Sequence, residues 1–414
     1  MLEKLKRLPI ISWVYRLPIF LRLYHIFFAV SGALIYRFPS RKIKVIGVTG
    51  TKGKSTVLEI INSILESAGK KTALLTSVRV KIGEKSKKNM TGNTMPGRMF
   101  IQRFLRRAVS ADCEYALIES TSQGTVLYRH MFINWAMVGI TNLHPEHIES
   151  HGSFEKYREA KLSFLNYAGM QGAPVFVNGD DPSAGFFEKE LKENEVVVYN
   201  AEELPEFTQE VYKILPGKFS RENIALAISI CRKLGIPEEK IIEGIENFKG
   251  VPGRVEYVQR EPFAVVVDYA HTPDSLEAIY KTLKMGIPDG RLICVLGSAG
   301  GGRDKWKRPM MGRVAAKYCD LIILTDEDPY EEKPERILEE IENGIREAGY
   351  DMGNVFKILD RREAIALAVR SAHPGDVVVS TGKGSESWIH QSKDEKIAWD
   401  ERKVFEEELE KVNL

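Results

Sequence analysis

The residues best suited to chemistry form a glycine-rich segment near the start of the chain. Residues 47–56 read GVTGTKGKST, follow a short β-branched run and precede apolar residues at helical spacing. Glycines at such a strand–loop–helix junction let backbone N–H groups approach phosphate oxygens, and the helix dipole favours the anion. Lys54 would reach the β- and γ-phosphates, and the Ser55 hydroxyl would coordinate Mg²⁺. The segment departs from the spacing GxxxxGK[ST], because Val48 stands at the first glycine position.

A carboxylate is expected beside this loop. Glu119 follows the apolar run 115–118, and a doubly wound sheet places a Mg²⁺ ligand at such a strand end. The predicted phosphate-binding residues are Gly50, Thr51, Lys52, Gly53, Lys54, Ser55 and Thr56.

The bulk composition limits the classes of protein. The chain has 414 residues, which is enough for two or three domains, and a net charge of +2, which argues against a general nucleic-acid binder. The four cysteines are far apart and show no CxxC pair, so we expect reduced thiols rather than a zinc site or a disulfide framework. They are Cys113, Cys231, Cys294 and Cys319.

Apolar runs alternate with helical patterns along most of the chain, which predicts parallel sheets covered by helices. The predicted organisation is an N-terminal helical segment over 1–42, a P-loop-type ATP-binding domain with a mostly parallel sheet over 43–250, and a Rossmann-like α/β domain over 251–414. The turn-rich stretch KGVPG at 249–253 marks the second boundary. The charged tail from residue 394 predicts an exposed helix. The predicted strands are 44–48, 72–75, 115–118, 136–140, 175–177, 264–267, 292–296, 321–324, 356–359 and 377–379.

The first 44 residues combine an apolar run, LYHIFFAVSGALIY at 23–36, with nine lysines and arginines. Such a segment is typical of a helix lying in a membrane interface near anionic lipid. A helix packed on the protein's own core is the favoured alternative. A full membrane span is disfavoured, since about 20 apolar residues are needed. The basic residues are Lys4, Lys6, Arg7, Arg16, Arg22, Arg37, Arg41, Lys42 and Lys44.

A set of further motifs resembles the Mur ligase family of ATP-dependent amide ligases. The motifs lie in the family's order between residues 45 and 390. DYAHTP and GRDKWKRPMMG are most similar to the members that add the third amino acid, the UDP-N-acetylmuramoyl-tripeptide synthetases, rather than to folylpolyglutamate synthases. The motifs are TNL at 141–143, EHIESHG at 146–152, YREAK at 157–161, NGDD at 178–181, PGR at 252–254, DYAHTP at 268–273, GRDKWKRPMMG at 302–312 and GKG at 382–384.

This resemblance implies an α/β fold and a role for ATP and Mg²⁺. Glu119 and His147 match metal ligands beside Ser55, and Lys161 matches a lysine that is carbamoylated in the family. Carbamoylation turns an ammonium group into an anion that can hold a second Mg²⁺. The resemblance adds Asn142, Asn223, Arg254 and Asp268 to the nucleotide-binding residues. It implies catalytic roles for Lys54, Glu119, His147, Lys161 and Arg254.

The resemblance also implies two substrates, a UDP-N-acetylmuramoyl-peptide-like acceptor and an amino acid. ATP would activate the acceptor carboxylate as an acyl phosphate, which the amine attacks. A cytoplasmic enzyme is expected, with possible attachment to the inner face of the membrane through residues 1–42, and no nucleic-acid partner. The implied substrate residues are Thr94, Pro96, Thr121, Ser122 and Arg129 for the acceptor, and His271, Asp326, Asp328, Gly382 and Glu386 for the second substrate.

Three departures from the family pattern bear on specificity. The phosphate loop begins at residue 47, where the family carries a UDP-binding domain first, so either UDP binds poorly or the acceptor is presented differently, such as on a lipid. Tyr330 stands where diaminopimelate-adding members have the arginine of DNPR, and tyrosine forms no bidentate ion pair. Gln123 and Ser385 stand where histidine is usual.

Three functions fit the sequence. The leading one is a peptide-bond ligase of cell-wall precursors. The second is the same chemistry on another carboxylate, such as a folate, a polyamide or a wall polymer unlike murein. The third, a nucleotide-binding protein without catalysis, is disfavoured by the complete set of expected ATP-site residues.

Overall fold

The computed structural model describes residues 18–392 and 394–412. Helices and strands alternate over the first 250 residues, as the sequence predicts. In chain order the helices and strands up to residue 246 are α1 (Pro18–Ile35), β1 (Lys44–Thr49), α2 (Lys54–Ser67), β2 (Thr72–Leu75), β3 (Arg79–Ile82), β4 (Lys85–Lys88), α3 (Arg98–Ser110), β5 (Tyr115–Glu119), α4 (Ser122–Val126), β6 (Trp135–Ile140), α5 (Ile148–His151), α6 (Phe154–Gly169), β7 (Val175–Asn178), α7 (Ala184–Glu190), β8 (Val196–Tyr199), α8 (Gln209–Ile214), α9 (Lys218–Lys233) and α10 (Glu238–Glu246).

The rest of the chain continues the alternation and ends in a helix. Its elements are β9 (Glu256–Gln259), β10 (Ala264–Val267), α11 (Pro273–Met285), β11 (Leu292–Leu296), α12 (Lys307–Tyr318), β12 (Leu321–Leu324), α13 (Pro334–Glu347), β13 (Val355–Lys357), α14 (Arg361–Ser371), β14 (Val377–Ser380), β15 (Trp388–His390), β16 (Lys396–Ala398) and α15 (Glu401–Lys411). Two compact units result. The first contains residues 1–143, 155–205 and 222–247, and the second contains 144–154, 206–221 and 248–414.

The first unit is built on an eight-stranded sheet in the order β4-β3-β2-β5-β1-β6-β7-β8. The six strands from β2 to β8 in this order run parallel, whereas β3 and β4 form an antiparallel extension at one edge. β1 lies between β5 and β6 and is buried from its second residue onward. Because parallel strands end at the same edge of a sheet, the residues that follow β1, β5 and β6 converge there.

The second unit contains a six-stranded sheet in the order β13-β12-β11-β14-β10-β9, with only β9 antiparallel. Alternate residues of β10 face opposite sides: Val265 and Val267 join one hydrophobic cluster, and Val266 joins the other. Residues of α11, α12 and α13 complete the cluster around Val266, and residues of α14 and α15 complete the other. Helices therefore cover both faces, and the predicted α/β class is confirmed.

The predicted strands are all present, within a residue or two at their ends. The sequence analysis missed β3, β4, β8, β9 and the β15–β16 hairpin, which are short and mostly at sheet edges. The prediction of an exposed C-terminal helix is wrong. α15 buries Val404, Phe405 and Leu409 against the second unit's sheet, because apolar residues recur at helical spacing within its charged sequence.

The position of helix α1 bears on the two interpretations of the N-terminal segment, packing on the protein's own core and lying in a membrane interface. Ala29 and Ala33 are fully buried, and Gly32 lies against Met99 and Gln102 of α3, so one face packs on the protein's own core. No helix in the described part of the chain is long and apolar enough to cross a membrane. The basic residues at positions 4, 6, 7 and 16 lie outside the described residues, and the predicted boundaries at 42 and 250 stay predictions.

The expectation of four reduced thiols is wrong for two of them. Cys294 of β11 and Cys319, which follows α12, form a disulfide, while Cys113 and Cys231 are buried free thiols. The prediction failed because it relied on the distance between the cysteines in the sequence. A strand–helix–strand crossover returns the chain beside its starting strand, so residues 25 positions apart come within a Cα–Cα distance of 6.1 Å.

We expect the denatured protein to titrate two thiols without reductant and four with it, because only Cys113 and Cys231 are unpaired. Reduction should lower the free energy of unfolding by about 3 kcal/mol, the usual contribution of a cross-link closing a loop of this size. Ellman titration in guanidinium and urea unfolding measure the two effects. The Cys294→Ala/Cys319→Ala variant is the control and should show no effect of reductant. Four reactive thiols in the unreduced protein would contradict the assignment.

Candidate functional site

The predicted phosphate loop connects β1 to α2 at the edge where the parallel strands end. Val48 of β1 pairs with Glu119 of β5, and Thr49 pairs with Ile140 of β6. Lys54, Ser55 and Thr56 form the first turn of α2, whose N-cap is Gly53. The loop therefore has the strand on one side and a helix N-terminus on the other, as phosphate binding requires. The residues around it come from three neighbouring strands.

Two glycines of the loop are required by its shape. Gly50 has φ 138° and Gly53 has φ 82°, in the range that disfavours L side chains. A Cβ atom on Gly50 would lie 1.9 Å from the Thr141 hydroxyl, and one on Gly53 would lie 2.2 Å from the Asn223 side-chain oxygen. The structure thus places Asn223, a predicted nucleotide contact, against the loop.

The residues after β6 hold the loop in place. The backbone N–H of Thr51 donates to the Asn142 carbonyl at 3.0 Å, and that of Lys52 donates to the Asn142 side-chain oxygen at 2.9 Å. The Thr141 hydroxyl donates to the Lys52 carbonyl at 2.6 Å. Asn142, predicted as a nucleotide contact, thus also acts as a support for the loop. These bonds fix the loop backbone before any ligand is bound.

Glu119 is the polar centre of this cluster. Its Oε2 accepts a hydrogen bond from the Ser55 hydroxyl at 2.7 Å and one from the Ser77 backbone N–H at 2.9 Å, and its Oε1 lies 4.0 Å from Lys54 Nζ. The carboxylate is buried. Lys54 Nζ also donates to the carbonyls of Gly50 and Thr51, at 3.0 and 2.9 Å. The predicted trio of lysine, serine and glutamate is therefore assembled.

Lys161 of α6 also contacts the loop. Its side chain is buried, and Nζ donates to the Gly50 carbonyl at 2.8 Å and lies 4.5 Å from the centre of the Tyr157 ring. The Tyr157 hydroxyl is 3.0 Å from the Thr51 hydroxyl. A surface helix position, the ordinary expectation for a lysine, is thus excluded. Lys161 lies within reach of the phosphate loop.

The ligand chemistry for a divalent cation is present in part. Ser55 and Glu119 offer a hydroxyl and a carboxylate, the hard oxygen donors that Mg²⁺ prefers. In the described ranges no group of three or more His, Cys, Asp or Glu side chains is arranged to hold a metal. His147 belongs to the second unit, where its backbone N–H donates to Asp304 at 3.0 Å and its φ is 57°. Its role as a metal ligand stays a prediction.

The residues predicted to contact an acceptor gather around Met95 in the first unit. Thr94 and Pro96 flank this buried methionine, and the Arg129 guanidinium donates to its carbonyl. Thr121 caps α4 by accepting the Gly124 N–H at 3.0 Å, and Ser122 begins that helix. A Cβ atom on Gly124 would lie 2.4 Å from the Met95 sulfur, so these segments are in close contact.

The second unit assembles another group of predicted residues around Lys383. The fully buried Lys383 ammonium donates to Asp328 Oδ1 at 2.9 Å and to Glu386 Oε2 at 2.7 Å. Burial would lower the Lys383 pKa, but the Glu386 and Asp328 carboxylates outweigh it and raise that pKa. Burial raises the pKa of Asp326 to about 6. The three predicted acidic residues and Gly382 are thus brought together.

Glu327 is a residue that the sequence analysis missed. It is buried, its Oε2 has no hydrogen-bond partner, and a Cβ atom on Gly382 would lie 2.3 Å from that oxygen. Burial raises the pKa of Glu327 to about 7, with the Lys383 charge opposing the shift. A buried, unsatisfied carboxylate calls for a bound partner. The signal was available, since Glu327 lies between two acidic residues after a buried strand.

Arg254, Asp268 and His271 surround Tyr269 in the same unit. The Arg254 guanidinium lies 4.2 Å from the Tyr269 ring centre, and the Tyr269 hydroxyl donates to Glu386 at 3.3 Å. Asp268 accepts the Val255 and Ala270 N–H groups, both at 2.7 Å, which fixes the PGR turn beside β10. His271 bonds the Tyr269 carbonyl at 2.7 Å and Glu146 at 2.9 Å.

Comparison with known proteins agrees with this geometry. Residues 48–231 match the Mur ligase middle domain, and residues 253–384 match the Mur ligase glutamate ligase domain. The UDP-N-acetylmuramoyl-L-alanyl-D-glutamate–2,6-diaminopimelate ligase of Clostridioides difficile is 34% identical over 398 residues, covering 91% of this chain and 81% of that protein. The chain belongs to the Mur ligase family. The resemblance found in the motifs is therefore confirmed, and so is the predicted enzyme class, an ATP-dependent carbon–nitrogen ligase.

Solved structures of other ligases share the fold of this chain. A Mycobacterium tuberculosis folylpolyglutamate synthase, crystallised with ADP and AMPPCP, has a TM-score of 0.67 at 17% identity, covering 86% of this chain and 91% of its own. A pseudomurein peptide ligase type C from Methanothermus fervidus has a TM-score of 0.62 at 19% identity, covering 90% and 79%. At these identities the likeness concerns the fold alone.

Replacing Glu327 by glutamine should stabilise this Mur ligase increasingly as the pH rises. The raised pKa means that the folded state holds the proton more tightly than the unfolded state, so ionising Glu327 costs stability from about pH 4.5 up to pH 7. The gain of Glu327→Gln over wild type should grow to about 3 kcal/mol at pH 8. Urea unfolding at pH 5, 6.5 and 8 measures it, with the exposed Glu339→Gln as control. A pH-independent difference would contradict the assignment.

Proposed function

We propose that this Mur ligase joins an amino acid to the carboxylate of a peptidoglycan precursor, with ATP converted to ADP and phosphate. The observation that carries the proposal is the assembly of Lys54, Ser55, Glu119 and Lys161 around one loop at the ends of three parallel strands. The names of the curated relatives support the precursor as acceptor. The second group, around Lys383, supports a separate place for the amine.

The chemistry needs activation, because an amine does not displace oxide from a carboxylate. An acceptor carboxylate oxygen attacks the γ-phosphorus of ATP, which gives an acyl phosphate and ADP. The amine then attacks the acyl carbon, and the resulting tetrahedral intermediate expels phosphate while the nitrogen loses its proton. Lys54 and the loop N–H groups would stabilise the charge on the transferred phosphoryl group, and a catalytic role for Arg254 is proposed from its motif.

Mg²⁺ would be held by Ser55 and Glu119, with His147 as the expected further ligand, and would neutralise phosphate charge. We propose that Lys161 is carbamoylated. Its burial beside the phosphate loop supports this, since Nζ donates to the Gly50 carbonyl there and a carbamate at that place could share the cation of the site. Asn223 and Asp268 would complete nucleotide binding, as the motifs predict.

The amino-acid site would comprise the residues around Lys383 in the second unit. Tyr330 stacks on His390 with ring centres 5.0 Å apart, and its hydroxyl accepts a hydrogen bond from Arg303 at 2.9 Å. This ring supplies no bidentate cation of its own for a second carboxylate. We therefore propose that diaminopimelate, the substrate named for the curated relatives, is not the preferred amine here.

We further propose that the enzyme is cytoplasmic and that its N-terminal segment contacts the inner face of the membrane. Helix α1 exposes a stripe formed by Leu23, Phe27 and Leu34, which recur on one helical face. Arg22 and Arg37 are exposed near its ends, and no acidic residue occurs between residues 1 and 44 except Glu3. An apolar stripe flanked by positive charge fits an anionic lipid surface.

The same chemistry on a different acceptor is the second candidate. A lipid-linked precursor, a wall polymer unlike murein, or a folate or polyamide would keep every ATP-site residue and change only the contacts around Met95 and Arg129. Gln123 and Ser385, which stand where the motif has histidine, favour such a change. The folds of the folylpolyglutamate synthase and the pseudomurein ligase show that this architecture serves such acceptors in other proteins.

Lys54→Ala and Lys161→Ala should each reduce turnover by at least about 100-fold, because both remove a charge beside the phosphate loop. Phosphate release from ATP with Mg²⁺, UDP-N-acetylmuramoyl-dipeptide and a mixture of amino acids measures turnover, and mass analysis identifies the product. The exposed Lys189→Ala should match wild type. Phosphate release by wild type without an adduct on the acceptor would contradict the assignment of the peptidoglycan precursor as substrate. Undiminished phosphate release by Lys54→Ala would contradict the assignment of the phosphate loop as the ATP site.

Phe27→Ser should weaken binding to vesicles by about tenfold, since it removes the most exposed apolar side chain of the α1 stripe. Cosedimentation with vesicles of phosphatidylcholine and phosphatidylglycerol measures binding. Met170→Ser, which removes an exposed apolar residue elsewhere in the same unit, is the matched control. Equal binding of both variants would exclude α1 as the membrane contact.

A further inference from the structure

Helices α1 and α3 pack together and form a surface with no acidic side chain. The sequence of α1 is PIFLRLYHIFFAVSGALI and that of α3 is RMFIQRFLRRAVS, so the pair carries five arginines and one histidine. Their close approach depends on Gly32, where a Cβ atom would lie 3.1 Å from the Met99 sulfur. The pair of helices therefore carries positive charge and no carboxylate of its own.

Two arginines near this contact are positioned but not neutralised. The Arg98 guanidinium donates to the Leu127 carbonyl, and the Arg129 guanidinium donates to the Met95 carbonyl. The Nε atoms of both are buried without a hydrogen-bond partner, and within the described part of the chain neither forms an ion pair. Burial and the Arg129 charge lower the pKa of Arg98 to about 10. The two bonds connect the same two segments, 95–98 and 127–129, in opposite directions, which brings both side chains to one place. An anion there would offset the repulsion between the two positive charges.

His25 extends the group from helix α1. Both of its ring nitrogens are buried and lack a hydrogen-bond partner among the described residues, as does the side-chain oxygen of Gln102, which is 2% exposed. Burial, with the charges of Arg98 and Arg129, lowers the pKa of His25 to about 4. Buried polar atoms are nearly always satisfied in folded proteins, so this concentration of unsatisfied polar atoms, with the Nε–H groups of Arg98 and Arg129 as donors, indicates a missing ligand.

We propose that Arg98, Arg129 and His25 form an oxyanion site that binds a phosphate group of the acceptor. Guanidinium groups bind phosphate through paired N–H donors, and Arg98 stands in the first turn of α3, where the helix dipole also favours an anion. The Arg129–Met95 bond links the site to the residues expected to contact the acceptor. This inference rests on the proposed function in one respect, because it takes the ligand to be the acceptor substrate of the ligase reaction.

The phosphate could belong to a nucleotide diphosphate or to a lipid-linked diphosphate, because the recognition chemistry is the same. Helix α1 presents His25 on the side that packs on the protein and the Leu23–Phe27–Leu34 stripe on the exposed side. Either source would place its phosphate against Arg98. Separate arms of one binding experiment distinguish them.

The test is calorimetric titration of wild type, Arg98→Gln, His25→Gln and Arg103→Gln with saturating ADP present to occupy the phosphate loop. One arm uses UDP-N-acetylmuramoyl-dipeptide, and the other uses phosphatidylcholine vesicles containing undecaprenyl diphosphate. N-acetylmuramoyl-dipeptide, which lacks phosphate, is the control ligand. Arg103 is an exposed arginine of the same helix, so its variant should bind within twofold of wild type.

We expect Arg98→Gln to weaken at least one phosphate-bearing probe by about tenfold or more, and His25→Gln to weaken the same probe. The affected arm identifies the source of the phosphate. Wild-type affinity in Arg98→Gln, or no binding of either probe by wild type, would overturn the proposal. A folding defect in Arg98→Gln is detected by its ADP affinity, and His25→Gln then decides. Because binding is measured, failure of the ligase assay would leave this result intact.

Discussion

The site of the first unit depends on the hydrogen bonds and the ion pair that the Glu119 carboxylate forms. Glu119 ends β5, accepts hydrogen bonds from α2 through Ser55 and from the residue Ser77 after β2, and lies beside Lys54. One buried anion thus joins two strand ends and a helix N-terminus. The parallel register of β1 with β5 and β6 determines where that anion meets the loop. A change in register would separate the lysine from its carboxylate and move the loop away from Asn142.

Buried charge has two different functions in this molecule, and its partners distinguish them. Arg361 and Glu401 are both almost fully buried, and their ion pair is completed by bonds to Ser380 and Thr381, so it stabilises the packing of α14 and α15. By contrast, Arg98 Nε and Glu327 Oε2 are buried atoms without a hydrogen-bond partner among the described residues. The first kind of charge is satisfied within the fold. The second kind is the observation from which we propose a bound partner.

The sequence predicted the parts of the structure that depend on local pattern. The loop 47–56, the buried strands and the position of Glu119 beside the loop follow from β-branched runs and from the convergence of parallel strand ends. Edge strands such as β8, and the burial of α15, could not be predicted, because they depend on neighbours distant in sequence. The same holds for Glu327 and His25, whose lack of partners is visible only when the surrounding side chains are placed.

The disulfide between Cys294 and Cys319 makes a covalent ring of β11, the loop that follows it, and α12. The GRDKWKRPMMG motif lies inside this ring. A protease that cuts the exposed part of the ring, around Lys305 and Trp306, would therefore leave the two fragments attached as one molecule. The ends of α12 cannot separate from the sheet by more than the ring allows. The redox state of the surroundings thus determines whether this segment is a closed loop or an open chain.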